Sequence, residues 1–487
     1  MTAAALQART FRSLHDHRNY RLFFSGQVVS VSGTWMQNVA LAWLVIQLTH
    51  SPLAVGALAF CRFVPFTVFG LVAGVLADRV DNRRLVIATQ AASMLLSATL
   101  AVLALTGTAT LTLVFALAVL SGVAQVFDAP GRQALTYQLV GSAELPNAVA
   151  LNSSLFNMSR VVGPAIAGVL IAAVDVGACF LVNALSFLAV LAGLLAMRTD
   201  ELYPVTRGPR ASVLDGIREG LAFVRQSRDL RLVLTVVTVM STVGFNFNVI
   251  LPLLASDTLH TGPRTFGILS AAFGAGALAG ALGSATLGRA SWTGLLAGLV
   301  GFSTAMLALA PLHGVWQCGI LLFVLGGSFT LLTANANALI QTGAPDHLRG
   351  RVVSLYLFAF AGLAPVGGLV AGWLVQVGGT VLAFGFAGLV GLAMSAYAIR
   401  MRPSSVRQAG ACPPGDRHRA RIARTRDASG SREAHTRRTQ ELAAAPGRSS
   451  TDGGCRVAAR TAGDAASRAR SPHVVTGEDR GDPPRRR

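Results

Sequence analysis

The sequence predicts an all-α membrane protein of twelve transmembrane helices in two six-helix halves, and three observations lead there. The 487-residue chain is 52% apolar and only 13% charged, with a mean hydropathy of +0.55, an excess that soluble domains do not carry. The apolar residues gather into twelve runs, each close to the ~20 residues that cross ~30 Å of hydrocarbon as a helix. Several strings of the first half also return in the second at an offset near 210 residues.

In order, the runs lie near 22–48, 53–77, 85–106, 110–130, 147–172, 177–197, 230–255, 265–288, 292–310, 315–337, 353–376 and 380–400. They are continuous and too long for barrel strands, which selects helices. Residues 1–21 are a polar, basic segment with Arg9, Arg12, Arg18 and Arg21. No signal peptide is expected there, because the first apolar run is too long for one and should stay as a span. The first half is assigned to 22–197, a linker to 198–229, the second half to 230–400 and a basic tail to 401–487. Within the linker, Val213, Ile217, Leu221 and Val224 recur at helical spacing, predicting an amphipathic helix on the membrane surface. The tail carries 19 Arg against 9 acids, few aromatics and scattered Pro and Gly, a composition that cannot bury a core and predicts disorder.

Arginine orients the bundle. With the N-terminus on the cytoplasmic side, the inside loops hold 18 Arg and the outside loops only Arg264. That bias is the positive-inside pattern, it puts both termini in the cytoplasm, and miscounting one span would invert every later loop.

Composition also excludes functions. The net charge is +19, yet all 41 cations are Arg, so neither a P-loop nor a Schiff-base lysine can be built. Such lysine-free, Ala- and Arg-rich usage fits a high-GC bacterial origin. Of the 5 cysteines, Cys61, Cys179 and Cys318 lie in apolar runs and Cys412 and Cys455 in the tail. None has metal-ligand spacing, so neither metal nor cofactor is expected. The mixed charges of the tail give no reason to expect nucleic acid as a partner.

The repeat is specific. Arg18-Asn-Tyr-Arg21-Leu22 matches Arg228-Asp-Leu-Arg231-Leu232, and Asn38 falls on Asn248. Ser51-Pro52-Leu-Ala-Val-Gly56 answers Gly262-Pro263-Arg-Thr-Phe-Gly267, and Gly163-Pro164-Ala-Ile-Ala-Gly168 answers Ala364-Pro365-Val-Gly-Gly368. Six helices repeated in the same orientation describe a transporter with its binding site between the halves.

After the second span comes Gly74-Val-Leu-Ala-Asp78-Arg79-Val-Asp81-Asn-Arg83-Arg84. It resembles motif A of the major facilitator superfamily, with Asp81 where that motif usually has Gly. The resemblance implies the major facilitator fold and a conformational latch formed by Gly74, Asp78, Arg79 and Arg83 on the cytoplasmic side. Gly163, Pro164 and Gly168 resemble motif C, a kinked small-residue face that goes with antiport and export. Ser159 and Ala167 replace two of its glycines. Over 12–400 the chain resembles the branch of the enterobactin exporter and the macrolide-efflux proteins. The strings that carry this are Arg18-Asn-Tyr-Arg-Leu-Phe23, Phe127-Asp128-Ala-Pro130-Gly-Arg132-Gln-Ala134 and Pro345-Asp346-His347-Leu348-Arg349-Gly350-Arg351.

Charges inside a membrane are expensive and mark function by default. Arg62 on span 2 and Arg160 on span 5 come to similar depths, with Asn38 and its repeat mate Asn248 nearby. Gln27, Thr34 and Asn38 share one stripe of span 1. Together they describe a substrate cavity that favours an anionic or acceptor-rich cargo, unless either Arg merely bonds backbone carbonyls. Asp128 is the acid nearest a span interior and the candidate proton carrier, with Arg132 one turn away as its structural partner. The expected function is export of a small, partly apolar, siderophore- or drug-like molecule across a bacterial inner membrane by alternating access. Proton antiport as the driving step follows from the resemblance, and a monomer suffices for it. An importer or facilitator of the same fold is the alternative. A membrane enzyme would need clustered acids or histidines at one depth, and a passive channel would need neither the repeat nor motif A.

Overall fold

Side chains set five of the helix starts. Asp81, Thr110, Ser227 and Ser291 each accept a first-turn amide, from Arg84 at 3.1 Å, Leu113 at 3.4 Å, Leu230 at 3.4 Å and Gly294 at 2.9 Å. Asp175 caps Val176 in the same manner. Such caps satisfy amides that have no partner within the helix. A computed structural model describes residues 11–77, 79–204, 213–287, 291–345 and 348–401.

The first half contains α1 (Arg12–Asp16), α2 (Arg18–Thr49), α3 (Pro52–Ala77), α4 (Asn82–Leu105), α5 (Leu111–Ala173) and α6 (Val176–Leu195). The linker helix α7 (Val213–Gln226) follows, as its periodicity predicted. The second half contains α8 (Arg228–Val243), α9 (Phe247–Leu253), α10 (Pro263–Leu287), α11 (Trp292–Leu309), α12 (Val315–Gly343), α13 (Arg349–Leu357) and α14 (Ala364–Met401).

Ten helical stretches among the described residues are long and apolar enough to cross a membrane. Two of them are too long for one crossing. The 63 residues of α5 would run about 95 Å at 1.5 Å each, three times the hydrocarbon thickness. The chain breaks at Gly141 (φ 69°, ψ −179°), a backbone conformation open to glycine because it lacks a Cβ. The stretch Arg349–Met401 breaks likewise at Gly379 (φ 66°, ψ −175°). The twelve spans expected from the sequence would require each of these two stretches to cross twice.

Three connections depart from the expected boundaries. The polar gap foreseen between spans 4 and 5 is helical up to Gly141. The cause is a small core of its own, in which Leu135, Leu139 and Val140 bury against Tyr20, Val86 and Leu194. Span 7 is interrupted at Gly244–Asn246, giving α8 and α9, and then winds into a π-helical turn at Leu254–Thr258. Span 11 is interrupted by a second π-helical turn, Phe358–Gly362, just before Pro365. A proline has no N–H and crowds the preceding turn, so carbonyls there need other donors. Ser241 Oγ supplies Phe360 O at 2.6 Å and Thr67 Oγ1 supplies Gly362 O at 2.7 Å.

The halves meet backbone to backbone at the end of the bundle away from most arginines. A methyl added to Gly56 on α3 would lie 2.6 Å from Gly368 O and 3.1 Å from Gly372 Cα on α14. A methyl on Gly267 of α10 would lie 2.7 Å from Pro164 O and 2.8 Å from Gly168 Cα of α5. Without a hydrophobic force between helices in lipid, close packing of this kind is what holds them. α3 also packs against Phe358–Gly362 and α14. These backbone contacts lie at the arginine-poor end. At the other end Arg351 of α13 pairs with Glu219 of α7.

Candidate functional site

Four helices converge midway along the bundle on a small cavity of ≈ 50 Å³. From the first half, α2 contributes Trp35 and Asn38 and α5 contributes Arg160. From the second half, α9 contributes Asn248 and α10 contributes Ser270 and Phe273. The break in span 7 sets Asn248 at the start of a fresh helix segment, one turn from Leu251, which also lines the cavity. The repeat mates Asn38 and Asn248 thus face one space, together with Arg160.

Arg160 has an aromatic enclosure. Its guanidinium carbon lies 4.7 Å from the Phe273 ring centre, 5.1 Å from Phe329 and 5.5 Å from Trp35. Among the described residues it makes no hydrogen bond and no ion pair. The backbone alternative, an arginine bonded to helix carbonyls, is not what these contacts describe. The two second-half rings belong to a wider aromatic cluster. Phe245 stands 4.9 Å from Phe329 and Phe247 stands 4.2 Å from Phe273.

The other cavity candidates lie elsewhere. Gln27 is buried and its Oε1 accepts from Arg132 at 2.9 Å. Thr34 donates to Ser30 O at 2.9 Å within its own helix. Arg62 does not line the cavity; its guanidinium lies 6.0 Å from the neighbouring Phe63 ring, and its backbone faces Gly122 of α5.

Gln27 instead belongs to a buried network around Asp128, whose side chain is 6% exposed. Arg132 Nε lies 2.6 Å from Asp128 Oδ2, while Thr89 Oγ1 and Gln90 Nε2 donate to Oδ1 at 2.8 and 2.9 Å. Gln27 Nε2 and Gln90 Oε1 are left without partners. An unmet buried polar atom costs ~1–3 kcal/mol, so this cluster holds its charges at some expense.

Of the motif A residues, Asp78 lies outside the described residues, and Gly74 falls within α3 with surroundings that are likewise outside them. Arg79 is exposed. Arg83 donates to Leu194 O at 2.8 Å, closing the carbonyl end of α6. Asp81, which departs from the motif, caps α4. Gly163 packs on α2 beside Trp35 and Met36, and Pro164 and Gly168 on Gly267 of α10.

A second, open cavity of ≈ 790 Å³ lies at the arginine-poor end, lined in part by Gln47, His50, Asp175 and His260. His50 and His260 are again 210 residues apart, and both adopt a left-handed backbone, φ 51° and 48°. The aromatic enclosure, the Asp128 donors and this pair escaped sequence reasoning. Only the histidine pair had a usable signal, the repeat offset.

A multi-pass bundle with polar groups gathered where two repeated halves meet is the architecture of a membrane transporter of small molecules. Residues 10–420 match the family described as transmembrane secretion effectors, and the chain belongs to that family, within the major facilitator superfamily. It is 27% identical to the staphyloferrin A transporter of Staphylococcus aureus (strain NCTC 8325 / PS 47), over 76% of this chain and 92% of that protein. It is 30% identical to the multidrug efflux pump Tap of Mycolicibacterium fortuitum, over 72% of this chain and 87% of the pump. A bacterial homologue of the human lysosomal transporter Spinster, solved inward-facing and unoccupied, superposes with a TM-score of 0.61. That match is 12% identical and covers 79% of this chain and 95% of that one. These relatives are transporters, not enzymes.

Proposed function

We propose that the protein exports a small, partly apolar molecule rich in oxygen acceptors, by alternating access and driven by proton antiport. One observation carries the reading: Arg160, Asn38 and Asn248 line a single space where the two halves meet. Cationic and amide donors suit carboxylate, phenolate or carbonyl oxygens, and the aromatic walls suit an apolar body. The positive-inside bias orients both termini and the Asp78 latch toward the cytoplasm. In that orientation the glycine-sealed end faces outward. Asp128 is the proton carrier in this scheme, since protonation would release Arg132 toward Gln27. Similarity to the multidrug efflux pump Tap favours export over import.

Efflux assays decide it. Cells expressing the chain should retain less of its substrate than cells expressing Asp128→Asn, with the difference abolished by a protonophore. Accumulation above that of empty-vector cells would instead select the import reading.

A further inference from the structure

At ≈ 50 Å³ the central cavity holds a water molecule or two, against the roughly 300–1,000 Å³ of a typical small-molecule pocket. Something must move before cargo fits, and the contacts name the group. Arg160, a lining residue of the cavity, reaches from the first half to the second-half rings Phe273 and Phe329 and also lies against Trp35 of its own half. The backbones are already as close as they can come here, because a methyl on Gly274 would lie 2.8 Å from Arg160 O. The helices therefore cannot draw closer here, and without their separation room comes from the Arg160 side chain and the rings that hold it.

With neither carboxylate nor hydrogen bond among the described residues, the guanidinium has the ring faces as its protein partners. Each such face contributes modestly, and an oxyanion offers a charge-assisted, two-pronged bond that is stronger. We propose that Arg160 is a plug that doubles as receptor: the rings of both halves hold it while the cavity is empty, and a cargo carboxylate draws it out. The ligand class follows from the vacated space. It is a flat organic acid, whose carboxylate meets Arg160 with Asn38 and Asn248 as further donors, and whose ring takes the faces of Trp35 and Phe273. This rests on the proposed export function and names the cargo class that Arg160 would select.

The test uses the full chain in lipid nanodiscs, with benzoate, salicylate and 1-naphthoate as probes and the corresponding neutral amides as controls. Calorimetry should show the acids binding and the amides not. Arg160→Ala should weaken the acids at least tenfold, and Arg160→Lys, which keeps charge but loses the fork, should fall between. Phe329→Leu is the sharper variant, because Phe329 holds Arg160 without lining the cavity. Freeing the plug should raise acid affinity about two- to fivefold. Three results would overturn the proposal: no acid binding to the parent, equal binding of acids and amides, or Phe329→Leu binding more weakly than the parent while melting normally. If efflux of some compound persists through any of these, only the plug fails; if no compound is exported at all, the export reading fails with it.

Discussion

At the scale of single residues, Arg160 and Arg62 part company. Both are lone cations in spans, yet Arg160 lines the cavity and Arg62 rests against Phe63 and outside it. Arg62→Ala is accordingly expected to leave substrate affinity within about twofold of the parent while altering the melting temperature. Equal losses of affinity in the two variants would return Arg62 to the site. The Asp128 network makes a second distinction. Arg132→Ala leaves a buried carboxylate with neutral donors only, a change that costs about 3 kcal/mol where an ion pair is broken from one side. Asp128→Asn leaves the remaining charge on Arg132, which is 31% exposed and can turn to water, so it should melt higher. Differential scanning fluorimetry of the two variants in one detergent checks the order. Little of this was legible beforehand. Asp128 and Arg132 stand one turn apart and pair visibly in the sequence, but Gln27 looked like a member of the Asn38 stripe because helical spacing cannot say which neighbour a face meets. The rings around Arg160 were hidden for a different reason: a phenylalanine on an apolar helix reads as core wherever it falls.

At the scale of the element, span ends were legible and span interiors were not. Arginine, proline and capping residues mark where a helix leaves the membrane, and α3 at Pro52–Ala77 and α10 at Pro263–Leu287 fall within two residues of expectation. The break at Gly244–Asn246 left no mark, since Gly, Phe and Asn are all admissible inside a span whose freed backbone groups find partners among neighbouring helices. The glycine seals give the element-scale test. Gly267→Val sets methyls against Pro164 O and Gly168 Cα, so α5 and α10 must separate at the arginine-poor end. A single cysteine at Thr261, in an otherwise cysteine-free chain, should then label faster than in the parent. An unchanged labelling rate would mean that the end is not held shut at Gly267.

At the scale of the molecule, the described helices end at Met401. The tail assigned to 401–487 lies, from residue 402 on, outside the described residues. Deleting 403–487 should leave membrane insertion and transport rates near those of the full chain, and loss of folded protein on fluorescence-detected gel filtration would give the tail a structural role. Asp78→Asn should change the balance between open ends rather than the amount of protein. Cysteine labelling at both ends measures that balance, and identical populations in variant and parent would remove Asp78 from the latch. The twofold repeat was the strongest large-scale signal. Its offset of 210 places Asn38 with Asn248 on one cavity and His50 with His260 on another.

The seal at Gly56, Gly168, Gly267 and Gly372 also has an electrical consequence. Helices that touch at their backbones leave no room for water, and voltage across a membrane falls where a path is dry. An anion stepping from Arg160 past those glycines would therefore cross a large share of the membrane potential. Each elementary charge exchanges up to about 2.3 kcal/mol per 100 mV over the full drop. With the cell interior negative, that field pushes an organic anion outward, so a carrier built this way would have its outward step assisted by voltage. Holding the proton gradient at zero while imposing a potential on vesicles should then still drive acid export, and a rate indifferent to voltage would show that the drop lies elsewhere.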